Sequence, residues 1–90
     1  MAIIRIPVPL RKLVDGSEEI KTFGHSVDEC LELLCLSYPG LRERIFDESN
    51  AVRRFINIFK NDEDIRFLQQ GMTIIQENDV ISIVPAIAGG

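Results

Sequence analysis

One segment of this 90-residue chain carries a helix signature marked at both ends, with strand and turn signals on either side of it. Ser26 and Glu29 have the spacing of a capping box, and Asp28 adds negative charge to the first turn. Val27, Cys30, Leu31, Leu34 and Tyr38 follow at helical spacing and form a single apolar stripe. Pro39-Gly40 stops the run. A helix with one apolar stripe, set between groups of strands, buries that stripe by lying across one face of a sheet.

The strand signals fill in the order. Residues 2–9 alternate, with Ile4, Ile6 and Val8 on one face and Arg5 and Pro7 on the other, so a strand is expected whose prolines restrict its ladder. Asp15-Gly16 signals a turn and residues 18–23 a return strand, giving an N-terminal hairpin. After the helix, residues 41–46 are expected to form a second short helical turn and residues 47–50 a loop. Residues 55–60 read as a strand, residues 61–64 as a turn and residues 65–68 as a short return strand. Gln70-Gly71 and Glu77-Asn78-Asp79 are turn or loop, and residues 80–85 close the sheet. Strand, strand, helix, strand, short strand, strand is the order of the ubiquitin-like β-grasp fold. The expectation is an α+β domain over residues 1–85, a mixed sheet of four to five strands packed on one main helix, and a tail over residues 86–90.

Composition narrows the function classes. At 46% apolar and 27% charged residues, a packed core is feasible without metal or disulfide. A net charge of −4, with Lys and Arg scattered, argues against a nucleic-acid partner, which needs clustered cations for phosphate. It favours a basic protein surface instead. No stretch approaches the roughly 20 apolar residues of a membrane span, and residues 1–9 do not read as a secretory signal. Cys30 and Cys35 are five apart, about 140° around a helix, which is unsuited to a disulfide. They read as reduced, buried thiols, and a cytoplasmic location is expected. No bound cofactor or metal is expected. His25 is the only histidine and reads as solvent-facing, and Asp62-Glu63-Asp64 lacks the glycine and terminal glutamate of a calcium loop.

The chemistry is expected at the tail. After Pro85 come Ala86, Ile87, Ala88, Gly89 and Gly90. Fully extended, residues 85–90 reach roughly 20 Å, enough for a terminus to enter a partner's active site while the globule stays outside. Glycine has no Cβ, so it passes a narrow channel and leaves its carbonyl carbon unshielded. A carboxylate at Gly90 becomes an electrophile when ATP supplies AMP as leaving group, and attack by sulfur on that acyl-adenylate yields a thiocarboxylate. The partner would contribute ATP binding and oxyanion stabilisation. Ala86, Ile87 and Ala88 would line the partner's channel, and Ala86 to Gly90 are expected to project beyond the sheet. In residues 55–60, either Phe55, Ile56, Ile58 and Phe59 are all core of a small domain, or Ile56 and Ile58 face the core and Phe59 is partly exposed, where it can serve docking. Asp62, at a turn, is either solvated or a contact for a basic partner.

These residues resemble the β-grasp sulfur carriers of molybdopterin, thiamin and cysteine synthesis. The likeness covers the whole chain in element order, length and the ending Pro85-Ala86-Ile87-Ala88-Gly89-Gly90. Arg54-Phe55-Ile56-Asn57-Ile58-Phe59 with Asn61-Asp62-Glu63-Asp64-Ile65-Arg66-Phe67 is similar to the branch that includes the cysteine-synthesis carriers, and Tyr38-Pro39-Gly40-Leu41-Arg42-Glu43-Arg44 matches it less closely. The resemblance implies a carrier rather than an enzyme, adenylated at Gly90 by a ubiquitin-activating-type enzyme that uses ATP. In the cysteine branch it implies a PLP-dependent cysteine-synthase-like partner and a metalloprotease that releases the product. In the molybdopterin branch it implies insertion into the large subunit of molybdopterin synthase. A protein modifier conjugated through Gly90 to a lysine uses the same tail, and a β-grasp interaction module would use none of it.

Overall fold

A computed structural model describes residues 1–86. Five strands form one mixed sheet: β1 Ala2–Arg5, β2 Glu19–Thr22, β3 Ile56–Lys60, β4 Glu63–Asp64 and β5 Val80–Pro85, in the order β2-β1-β5-β3-β4. β1 and β5 run parallel, and the other neighbours are antiparallel. The main helix, α1 Val27–Ser37, covers one face, and a one-turn helix, α2 Arg42–Ile45, follows it. This is the expected α+β arrangement, with five strands on one main helix.

α1 starts and stops where its residues dictate. The Ser26 hydroxyl accepts the Glu29 N–H at 3.2 Å, and the Glu29 carboxylate reaches back past the cap to accept the N–H of His25 at 2.9 Å. Val27, Cys30, Leu31, Leu34 and Cys35 are buried, and they meet Ile4, Ile58, Ile81 and Ile83 from the sheet. Those four isoleucines share one face because side chains alternate along a strand. Ile58 lies opposite Ile83, and Ile4 beside Ile81. Tyr38 is half-buried at the helix exit.

Two expected strands are something else. The first ends at Arg5, and Val8–Val14 forms a 3₁₀ helix with Leu10 and Val14 buried and Val8 69% exposed. Pro7 and Pro9 supply no ladder N–H and are fixed near helical φ, so the alternation at Ile4 and Ile6 cannot continue as a strand. Asp15 and Gly16, at φ 56° and 81°, then make the expected turn. The return strand expected over residues 65–68 is instead Glu63–Asp64. The Asp64 carboxylate accepts the Arg66 N–H at 2.9 Å and starts the 3₁₀ turn Ile65–Phe67. Only Ile65 of that turn is buried, while Phe67 is 84% exposed.

The β2–α1 connection is packed against backbone. A Cβ on Gly24 would lie 2.6 Å from the Cys30 Sγ, 2.7 Å from the Cys30 N and 2.9 Å from its Cα. The last two atoms belong to the helix backbone and cannot swing aside. Gly24→Ala is therefore expected to cost about 2 kcal/mol, within the usual range for overpacking. A urea melt indistinguishable from that of the parent protein would show that the connection yields.

Candidate functional site

β5 is the middle strand of the five, held by β1 on one side and β3 on the other. Pro85 lies opposite Ile56, and the Ala86 N–H donates to the Phe55 carbonyl at 2.6 Å. Ala86, the first residue of the expected tail, is thus tied to the start of β3. Ile87, Ala88, Gly89 and Gly90 lie outside the described residues.

Around Ala86 the surface is both apolar and basic. Phe55 is 57% exposed and Val84 41% exposed, and Arg53 and Arg54 are exposed just before Phe55 in sequence. Arg53 is fixed by α2: its backbone N–H donates to the Ile45 carbonyl at 2.8 Å and its Nε to the Glu43 carbonyl at 2.7 Å. On the helix side of β3 a cleft of about 380 Å³ opens between Phe46, Val52, Arg53, Arg54, Ile56 and Ile65. Sequence alone did not single out Val84, Arg53 or Arg54 as neighbours of the tail. Val84 is two residues from Ala86 in the chain, but the proximity of Arg53 and Arg54 depends on the β3–β5 register, and no local pattern records that.

Phe59 is half-buried on the sheet face away from α1, opposite Ser82 and Asp64, and shares that face with Asn57 and Val84. Ile58 is buried and Ile56 half-buried on the helix side, as expected. Asp62 is exposed at the β3–β4 turn. It stands at the far end of β3 from Ala86, a separation of roughly 20 Å at strand rise, so the structure does not bring Asp62 to the tail base. His25 is exposed, as expected.

Cys30 and Cys35 are free and buried. Burial pushes both thiols above the ordinary cysteine range. At Cys30 this outweighs the opposing hydrogen bonds with Thr22 and Gly24, and at Cys35 it outweighs the attraction of Arg42. A thiol kept protonated is a poor nucleophile. Replacing both by Ala is expected to cost roughly 1–3 kcal/mol of stability through lost packing. Sulfur loading of the folded protein should be unchanged, as read by intact mass. A folded double variant that gains no sulfur would point to a cysteine persulfide instead.

None of the helices among the described residues is long and apolar enough to cross a membrane. The profile of the ThiS family matches residues 4–90. The chain belongs to the ThiS family. The sulfur carrier protein CysO of Mycobacterium tuberculosis is 36% identical over 89 residues, spanning 97% of this chain and 96% of CysO. A chain in the crystal structure of the Amycolatopsis orientalis BexX/CysO complex superposes with a TM-score of 0.91 at 31% identity, over 100% of both chains. The solution structure of small archaeal modifier protein 1 from Methanosarcina acetivorans superposes at 0.89 with 28% identity, over 99% of this chain and 95% of that one. This ThiS-family chain is accordingly a ubiquitin-like β-grasp protein, and its relatives include both sulfur carriers and a modifier.

Proposed function

We propose that this ThiS-family protein is a sulfur carrier, and that the carboxylate of Gly90 is the group that carries the sulfur. The observation that carries this is the likeness to a sulfur carrier over nearly the full length of both proteins, within a family match that runs through Gly90.

A ubiquitin-activating-type partner joins the Gly90 carboxylate to AMP from ATP and releases pyrophosphate. A sulfur nucleophile then attacks the carbonyl carbon and AMP leaves, which puts sulfur in place of one oxygen as a thiocarboxylate. ATP and the oxyanion donors belong to the partner; this chain supplies the carbonyl and holds it out on a rigid base. Middle strand β5, with the Ala86–Phe55 bond at its end, suits that role because the reach of the tail is then set from a fixed point. Phe55, Val84, Arg53 and Arg54 surround that point, so they are the surface a partner meets as the tail enters it. Gly89 and Gly90, with Ala86, Ile87 and Ala88, supply the narrow segment that a channel admits.

The sulfur acceptor we favour is a PLP-dependent cysteine-synthase-like enzyme, with a metalloprotease releasing cysteine. The likeness to CysO favours this over insertion into molybdopterin synthase. The likeness to small archaeal modifier protein 1 supports a second reading, conjugation of Gly90 to lysines of other proteins. Intact-mass analysis of protein purified from its own cells separates them. Sulfur replacing oxygen at Gly90 is the expected result. Isopeptide-linked adducts with no thiocarboxylate species would favour conjugation, and an unmodified chain after incubation with activating enzyme, ATP and sulfide would overturn both.

A further inference from the structure

β2 is an edge strand, and its backbone and charges fit a second copy of itself. The Ile6 N–H donates to the Glu18 carbonyl at 2.8 Å, and hydrogen-bonded pairs alternate along an antiparallel ladder. Glu18, Ile20 and Thr22 therefore turn their backbone groups toward β1, while Glu19 and Lys21 turn theirs outward. A two-fold antiparallel pairing must set outward residues against outward residues. Within the strand this leaves three registers, centred on Glu19, Ile20 or Lys21. The first sets Glu19 against Glu19 and the third Lys21 against Lys21. Only the register centred on Ile20 sets each Glu19 against the other copy's Lys21, twice by symmetry.

The side chains agree with that register. Glu19 already lies 3.6 Å from Arg5 across the β1–β2 ladder, so the pairing would extend an alternating row, Arg5, Glu19, then Lys21 of the second copy. On the helix face the same edge carries apolar groups. Leu36 of α1 is 67% exposed and Phe23 74% exposed, and with Leu33 and half-buried Ile20 they border a shallow groove of about 250 Å³. A copy paired through β2 would bring a second α1 against these groups. Exposed edges are usually blunted, and an unpaired edge flanked by exposed leucines invites pairing.

We infer that this protein forms a two-fold dimer through β2, joining two sheets into one of ten strands. The pairing is independent of the sulfur-carrier reading, and it leaves β3, β4 and the Ala86 end of β5 uncovered. Sedimentation equilibrium from about 10 µM to 1 mM tests it. The wild-type protein should dimerise with concentration, and the Glu19 and Lys21 amides should gain protection from hydrogen exchange in step. Lys21→Glu and Glu19→Lys should each weaken self-association by about tenfold, because each sets like charges across the two-fold. Mixed together, these two variants should form a heterodimer, since every cross-strand pair between them is then opposite in charge. A wild-type monomer over the whole range would overturn the inference. So would amides at Glu19 and Lys21 that stay unprotected, or variants that associate no better mixed than alone.

Discussion

Deleting Gly90 is expected to abolish sulfur loading while leaving the unfolding transition in place. Among the described residues the buried core ends at Ile83, and the last backbone bond is that of Ala86 to Phe55. A single terminal glycine ordinarily contributes little to a core, so stability should change by less than about 0.5 kcal/mol. The chain would still end in a glycine carboxylate, that of Gly89, but one residue short. At roughly 3.5 Å per extended residue, the carbonyl would miss a partner's nucleotide by more than a bond length. Misplacement of about 1 Å already costs on the order of a hundredfold in rate, so loading should fall below detection. The measurements are a thermal melt and intact mass after incubation with activating enzyme, ATP and sulfide. Undiminished loading would mean that reach is not what the partner reads, and a lost transition would make the terminus structural.

How far the sequence foretold the fold depended on how local each signal was. α1 and β5 fall where residues 26–39 and 80–85 place them, because a capping serine, a stop at Pro39 and a run of alternating isoleucines each act within one element. The failures lie where two local signals compete. Ile4, Ile6 and Val8 keep strand period past Pro7, but Pro7 and Pro9 offer no ladder N–H, and the chain turns instead into the 3₁₀ helix that buries Leu10 and Val14. Asp64 was legible as a turn residue, yet its carboxylate holds the Arg66 N–H and turns the chain one step before a strand could start at Ile65. The candidate site divides in the same way. The glycines are visible in sequence, whereas the alternation of residues 55–60 left open whether Phe59 is core or partly exposed. That Phe55 holds Ala86, that Asp62 lies at the other end of β3, and that Arg53 and Arg54 flank the tail base all follow from the register of β3 on β5. That register joins residues far apart in the chain.

Ile81→Ala should be among the most damaging single substitutions in the core, and comparing it with Val84→Ala tests the two faces of β5. Ile81 is fully buried on the middle strand, beside Ile4 of β1 and facing the α1 stripe. Truncating it removes three carbons from a site enclosed by strands on both sides and a helix above, so the walls have little freedom to close the void. The expected cost is about 3 kcal/mol, within the range for buried isoleucine. For a domain of this size that is about a fifth or more of the total stability, and the melting temperature should drop by roughly 15 °C. Val84 is on the same strand but on the face away from the helix, and it is 41% exposed. Val84→Ala should therefore cost about 0.5 kcal/mol. Loading should respond in the opposite sense. Folded Ile81→Ala at low temperature should accept sulfur normally, because the side chain points into the core and away from the tail, whereas Val84→Ala should weaken binding of the activating enzyme. Equal stability losses for the two variants would mean that β5 does not present the faces described here. A folded Ile81→Ala protein that cannot be loaded would tie the core itself to the positioning of Gly90.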